Sequence, residues 1–182
     1  MARIQPNDNP SAQAQETLDG LEKALGSVPN IFKTFSHSDA VLDFYMQGSG
    51  VLKNTSISGA LRESIALTVA GLNGCDYCAS AHTVIGKGEG LSDGEAAHNL
   101  KAQSEDAKTQ AALDFAAKLV KDRANVTDAD VQAVKDAGYS EGEVLEIVAV
   151  VAFNIFTNYF NHVADTDVDF PAVSTAEVQK AA

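Results

Sequence analysis

Only two cysteines occur in this 182-residue sequence, Cys75 and Cys78, and His82 follows the second by four positions. Residues three apart on a helix share a face, so the two sulfurs can come within bonding distance if the first turn relaxes, and a reversible disulfide is feasible. Cys78 and His82 form an i,i+4 pair, which sets the imidazole beside the sulfur, where it can take the thiol proton and later return one. If Cys75 opens the helix, the first-turn N–H groups and the positive end of the helix dipole favour a thiolate there.

Two helices must hold these groups. The segment from about Ser58 to Leu72 is rich in Ala, Leu, Ile and Val, which predicts a buried helix. Asn73-Gly74 is a stop signal, and Cys75 opens a second helical stretch ending near Gly86, before the loop Gly86-Lys87-Gly88-Glu89-Gly90. Glu63 precedes the turn by about ten residues and His82 follows it by about eight, so a hairpin rising ~1.5 Å per residue brings the two level. A Glu63–His82 hydrogen bond would orient the imidazole and raise its basicity, giving a Glu63 to His82 to Cys78 relay with Cys75 free to resolve an intermediate.

The rest of the chain also reads as helix. Leu18, Leu21 and Leu25 precede Gly26, and Ser38 precedes Val41, Leu42, Tyr45 and Met46, with Gly48 and Gly50 loosening that helix's end. Further starts fall at Ser92, Ser104 and Thr127, the second opening a helix to Arg123. Ser140 and Glu143 make a capping box before an apolar stretch to about His162. No alternating segment reaches convincing length, so the expected class is all-α, in one domain over 1–182 with a motif core of about 38–123, a C-terminal helix at 140–162 and a loosely held polar tail over 166–182. The net charge of -12 argues against nucleic acid or anionic lipid as a partner. No basic start followed by an apolar stretch and no run of about 18 apolar residues is seen, which makes the expectation cytoplasmic, with no membrane.

Glu63, eleven intervening residues, the Cys75–Cys78 pair and His82 after three more resemble the core motif of the AhpD-like alkylhydroperoxidases, within the carboxymuconolactone decarboxylase superfamily. Phe35-Ser36-His37-Ser38-Asp39-Ala40-Val41 ahead of the motif helix is similar to the peroxidase-related branch. The resemblance implies an AhpD-like helical fold and a thiol-dependent peroxidase acting on a hydroperoxide. Cys78 would be peroxidatic, Cys75 resolving, His82 the general base and acid, and Glu63 its orienting group. It further implies an external dithiol reductant of lipoyl or thioredoxin-like type, no cofactor, and a homo-oligomer, trimer or hexamer. Tyr77 stands where the family pattern carries a further histidine, and is an auxiliary residue of the expected site; a neutral phenol is a poor base near neutral pH. The decarboxylase members generally lack the cysteine pair, which disfavours lactone decarboxylation.

Other readings of the same residues stay open at this level. The thiols can be inert core groups. Cys75, Cys78 and His82 offer three zinc ligands, with His98 or Glu63 as a fourth, and the expectation is no metal. A thioredoxin-like domain would place the motif after a strand, where an apolar helix is read instead. A non-enzymatic redox sensor of the same fold would use the same pair. His37, His98 and His162 read as surface or satisfied residues, and Asn154, Asn158 and Asn161 as an amide row bonding between helices or subunits. The glycine loop lacks the preceding strand of a phosphate cradle and is read as a turn.

Overall fold

The structure is a computed structural model and describes residues 2–180. Among these there are ten helices and no strand: α1 (Ala12–Leu25), α2 (Asn30–Phe35), α3 (Asp39–Leu52), α4 (Gly59–Asn73), α5 (Asp76–Gly88), α6 (Asp93–Asn99), α7 (Ala107–Lys121), α8 (Asp128–Asp136), α9 (Glu141–Ala164) and α10 (Thr175–Lys180).

α4 is central because its sequence leaves it almost no polar face. Ile65, Leu67, Val69 and Ala70 are fully buried, and the helix packs against α5, α6, α7 and α9. Its ends are set by local chemistry. The Ser58 side chain accepts from Leu61 N, and Gly74 closes the helix at φ +70, a conformation that costs a glycine nothing and other residues roughly a kcal/mol. That single left-handed residue turns the chain straight into α5 and makes the hairpin tight.

Two apolar clusters flank this hairpin. One joins α4, α7, α8 and α9 through Ile65, Val69, Leu113, Phe115, Val134, Ile147 and Val151. The other joins α1, α2, α3 and α6 to the hairpin and contains Cys75, Cys78 and Tyr77 together with Phe32 and Phe35. α9 is long and apolar enough by length and composition to cross a membrane. Here Val144, Ile147, Val150 and Val151 are buried in the first cluster, which makes it a core helix of this fold.

Several helix limits differ from the sequence reading. α7 begins at Ala107, because the Asp106 carboxylate accepts from Thr109 N while the Ser104 hydroxyl accepts from Asp106 N. It ends at Lys121, and Arg123 sits beyond it at positive φ. α3 runs through Gly48 and Gly50 to Leu52, and Ser38 holds its N-cap position with no side-chain cap bond. The polar tail is not loose over its described part. Val173 N donates to Ser80 Oγ, Thr175 N and Oγ1 both donate to Asp76 Oδ1, and Gln179 Nε2 donates to Leu100 O. The first three bonds strap residues 173–175 across the first turns of α5, and the last ties α10 to the end of α6.

Candidate active site

Glu63 lies in the second turn of α4 and His82 in the second turn of α5, and the hairpin brings Glu63 Oε2 to 2.7 Å from His82 Nδ1. Their side chains are 15% and 19% exposed, so the pair is largely shielded from water. The helices approach closely here because Gly86, one turn after His82, has no side chain. A Cβ at that position would lie 2.9 Å from Leu91 Cδ1 and 3.5 Å from Glu63 Cβ.

Cys75 is the N-cap of α5, and its Sγ accepts from Cys78 N at 3.3 Å. Both cysteines are free and buried, and Cys75 Sγ–H donates to Cys78 Sγ across 2.6 Å. The shared proton separates their acidities. Cys78 is lowered to about 7, first by the hydrogen bond from Cys75, against the opposing effect of burial, and then by the His82 charge and the side-chain amides of Asn161 and Asn158. Cys75 is pushed up, first because it donates to Cys78 and next by burial. The helix start therefore does not make Cys75 the thiolate, as its position alone suggests: the proton stays on Cys75 and the charge goes one turn further in. For His82, burial pushes the ring down, and the Glu63 charge and hydrogen bond outweigh it, so the net direction is upward.

Tyr77 is placed between the cysteines in sequence but not between them in space. Its hydroxyl accepts from Ile31 N at 3.2 Å, its ring meets Phe170 edge-on, and burial pushes its ionisation far up. Tyr45 was not read as a site residue. It comes from α3, is raised to about 12 first by burial and then by the Glu63 charge, and packs on Phe32 and Phe35. Only its place in an apolar stripe was legible, since its approach to the hairpin is a tertiary event.

The asparagine row divides by role. Asn154 Nδ2 donates to Val150 O within its own helix, Asn158 Oδ1 accepts from Asn73 Nδ2 at 2.9 Å, and Asn161 Nδ2 donates to Cys78 Sγ at 3.2 Å. His162 Nε2 lies 3.0 Å from Asn73 O and His37 Nε2 2.9 Å from Gln5 O, both at exposed positions. Among the described residues no group of three or more His, Cys, Asp and Glu is arranged to hold a metal ion. A cleft of about 430 Å³ opens between the end of α4 and α10, lined in part by Gly71, Asn73, Gly74, Asp76 and Thr175, and neither thiol lines it.

The carboxymuconolactone decarboxylase family matches residues 39–122, the span that holds Glu63, both cysteines and His82. The fold is that of an uncharacterized peroxidase-related protein from Silicibacter sp. TM1040, at 23% identity over 91% of this chain and 92% of that one, with a TM-score of 0.81. A second such protein, with an alkylhydroperoxidase AhpD core, from Ralstonia eutropha JMP134, matches at 24% identity over 88% and 87%, with a TM-score of 0.80. The family match and the shared fold agree with the resemblance carried by Glu63, Cys75, Cys78 and His82. The same fold also serves the debrominase Bmp8, at 20% identity over 98% of this chain and 96% of that one and a TM-score of 0.77, so the fold by itself does not choose a substrate. No curated protein matches the chain.

Proposed function

We propose that this chain is a member of the AhpD-like carboxymuconolactone decarboxylase superfamily and acts as a thiol-dependent peroxidase. The observation that carries the reading is the pairing of an ionisable Cys78, touched by the Cys75 thiol at 2.6 Å, with a His82 held by Glu63 at 2.7 Å. The Cys78 thiolate attacks the hydroperoxide oxygen, the O–O bond breaks, and Cys78–SOH and an alkoxide form. The imidazolium of His82 supplies the proton that releases the alkoxide as alcohol, or as water when the substrate is hydrogen peroxide. Cys75 then attacks the sulfenic sulfur, water leaves, and the Cys75–Cys78 disulfide forms. An external dithiol, lipoyl or thioredoxin-like, reduces that disulfide and is itself oxidised, which returns two electrons to the protein.

Support for the division of labour comes from the opposite environments of the two sulfurs. A thiol near pKa 7 is half ionised at neutral pH, whereas a thiol that keeps its proton is a competent resolving group once its neighbour has become electrophilic. Peroxide titration followed by mass spectrometry tests the scheme. One equivalent of peroxide should remove both thiols and leave an intramolecular Cys75–Cys78 disulfide. Cys78→Ser should reduce turnover at least about a thousandfold, since no other thiol is placed against His82. Undiminished peroxide turnover in that variant would overturn the assignment.

A further inference from the structure

A buried amide must find partners, and each polar group left without one destabilises the fold. Asn158 and Asn161 are 0% and 4% exposed, yet Asn158 Nδ2 and Asn161 Oδ1 have no hydrogen-bond partner. Their orientations are not free. Asn73 Nδ2 donates to Asn158 Oδ1, which turns the Asn158 Nδ2 away from Asn73, and Asn161 Nδ2 is engaged on Cys78 Sγ. Next to one sulfur, two side chains of α9 therefore leave one buried donor and one buried acceptor unmatched. A neutral thiol satisfies this arrangement poorly, while a thiolate accepts from both amide N–H groups.

We infer that Asn158 and Asn161 form a thiolate-binding amide pair for Cys78, and that Asn161 Oδ1 is the docking acceptor for the O–H of an incoming hydroperoxide. The Asn161 Nδ2 contact of 3.2 Å on Cys78 Sγ carries the first half, and Asn158, whose amide also lowers Cys78, joins it as the second donor. The second half rests on the peroxidase reading, because only an electrophile that carries a hydroxyl needs that acceptor. Asn161 is then a catalytic residue: its nitrogen holds the attacking atom and its oxygen aligns the attacked one, a preorganised polar site of the oxyanion-hole kind. The amides add to the other groups around the sulfur. α5 contributes Cys75, His82 and Tyr77, α3 contributes Tyr45, and Glu63 of α4 stands behind His82. What α9 contributes to the lowering of Cys78 to about 7 is neutral amide, so its effect is separable from that of the charges.

The test uses the full chain and reads Cys78 alkylation by iodoacetamide against pH, with the site assigned by fragment mass spectrometry. Asn161→Leu removes both polar atoms at similar volume, and Asn161→Asp keeps the shape while replacing the donor with a carboxylate, so that one folded variant suffices. Alkylation at pH 7 should slow by about tenfold in either, with the profile displaced to higher pH. Asn154→Ser, on the same helix but bonded only to Val150, should leave the profile where it is. An unmoved profile in a folded Asn161 variant overturns the amide pair. At a pH where Cys78 is fully ionised in both proteins, iodoacetamide should alkylate it equally in wild type and Asn161→Leu, while organic hydroperoxide reduction stays about tenfold slower in the variant. Equal hydroperoxide rates there overturn the docking role. A wild-type protein that fails to reduce hydroperoxide while its alkylation profile still responds to Asn161 overturns the peroxidase reading and the docking role together, and leaves the amide pair standing.

Discussion

Glu63→Gln isolates the charge in the Glu63–His82 contact, because glutamine keeps the shape and a hydrogen-bonding oxygen 2.7 Å from the ring. In the wild type, burial pushes His82 down and the Glu63 carboxylate more than reverses it; in the variant burial is opposed only by the neutral amide contact and the Cys78 charge. An opposite charge at this range is worth about one to three pKa units, at about 1.4 kcal/mol each. With side chains 19% and 15% exposed, solvent screening keeps the effect in the lower half, about 1.5–3 kcal/mol. The pH dependence follows from the direction of the shift. A histidine whose folded-state pKa is raised above its unfolded value of 6.5 contributes stability that is fully present below that value and is lost as pH rises through the folded pKa. Urea unfolding at about pH 5.5 should therefore show the variant less stable by that amount, and the gap should shrink by about pH 9. The same substitution removes positive charge beside Cys78, one of the influences that lower it to about 7. A displacement of one unit upward takes the thiolate at pH 7 from about half to about a tenth, so Cys78 alkylation should slow about fivefold. A stability gap that is equal at both pH values, with an unmoved alkylation profile, would refute the proposed coupling of Glu63 to the thiol.

Tyr77→Phe should lower stability by about 1–2 kcal/mol in urea unfolding, because Ile31 N loses its buried acceptor, while hydroperoxide turnover and the Cys78 alkylation profile stay unchanged. A loss of turnover with stability intact would instead place the phenol in the chemistry. The outward stripe of α9 holds Leu145, Tyr159 and Val163 at 69%, 59% and 66% exposure, and Phe44 and Val51 are exposed on α3. An apolar face of that extent should be covered by further copies of the chain, so light scattering should give a trimer or hexamer of the 19.1 kDa chain, and a monodisperse 19.1 kDa species would refute this.

Much of the fold was legible because its signals are local. Capping boxes at Ser92, Thr127 and Ser140, the left-handed closures at Gly26 and Gly74, and the apolar run of α4 each act within one or two turns. The level placement of Glu63 and His82 was legible as well, since a tight turn and a fixed rise leave a hairpin little freedom. Three things were not. The start of α7 is decided by competition between Ser104 and Asp106, and the carboxylate two residues closer takes the cap. Docking of the polar tail depends on Asp76 and Ser80, which lie about a hundred residues away in sequence and look like ordinary helix-surface residues. Asn161 reaches Cys78 only because α9 packs beside α5, and no spacing within either helix encodes that crossing.

Two cysteines one helical turn apart do not share one environment here, and the proposed chemistry depends on that difference. At the N-cap, the bond that Cys75 Sγ–H donates to Cys78, its burial and the Cys78 and Asp76 charges oppose ionisation, and outweigh the Cys78 N–H that its Sγ accepts. One turn further in, Cys78 faces the groups that stabilise negative charge: the Cys75 S–H, the Asn161 amide of α9 and the His82 charge backed by Glu63. The difference comes from three separate elements, since α4 supplies the carboxylate, α5 the histidine and α9 the amides. It follows that removing any one of them should weaken the bias without abolishing it, and that only removing Cys78 itself should end the reaction. A nucleophile chosen by surroundings rather than by residue type explains why the cysteine spacing alone leaves inert thiols, a metal site and redox chemistry all open, and why the contacts of α4 and α9 on Cys78 and His82 favour the last.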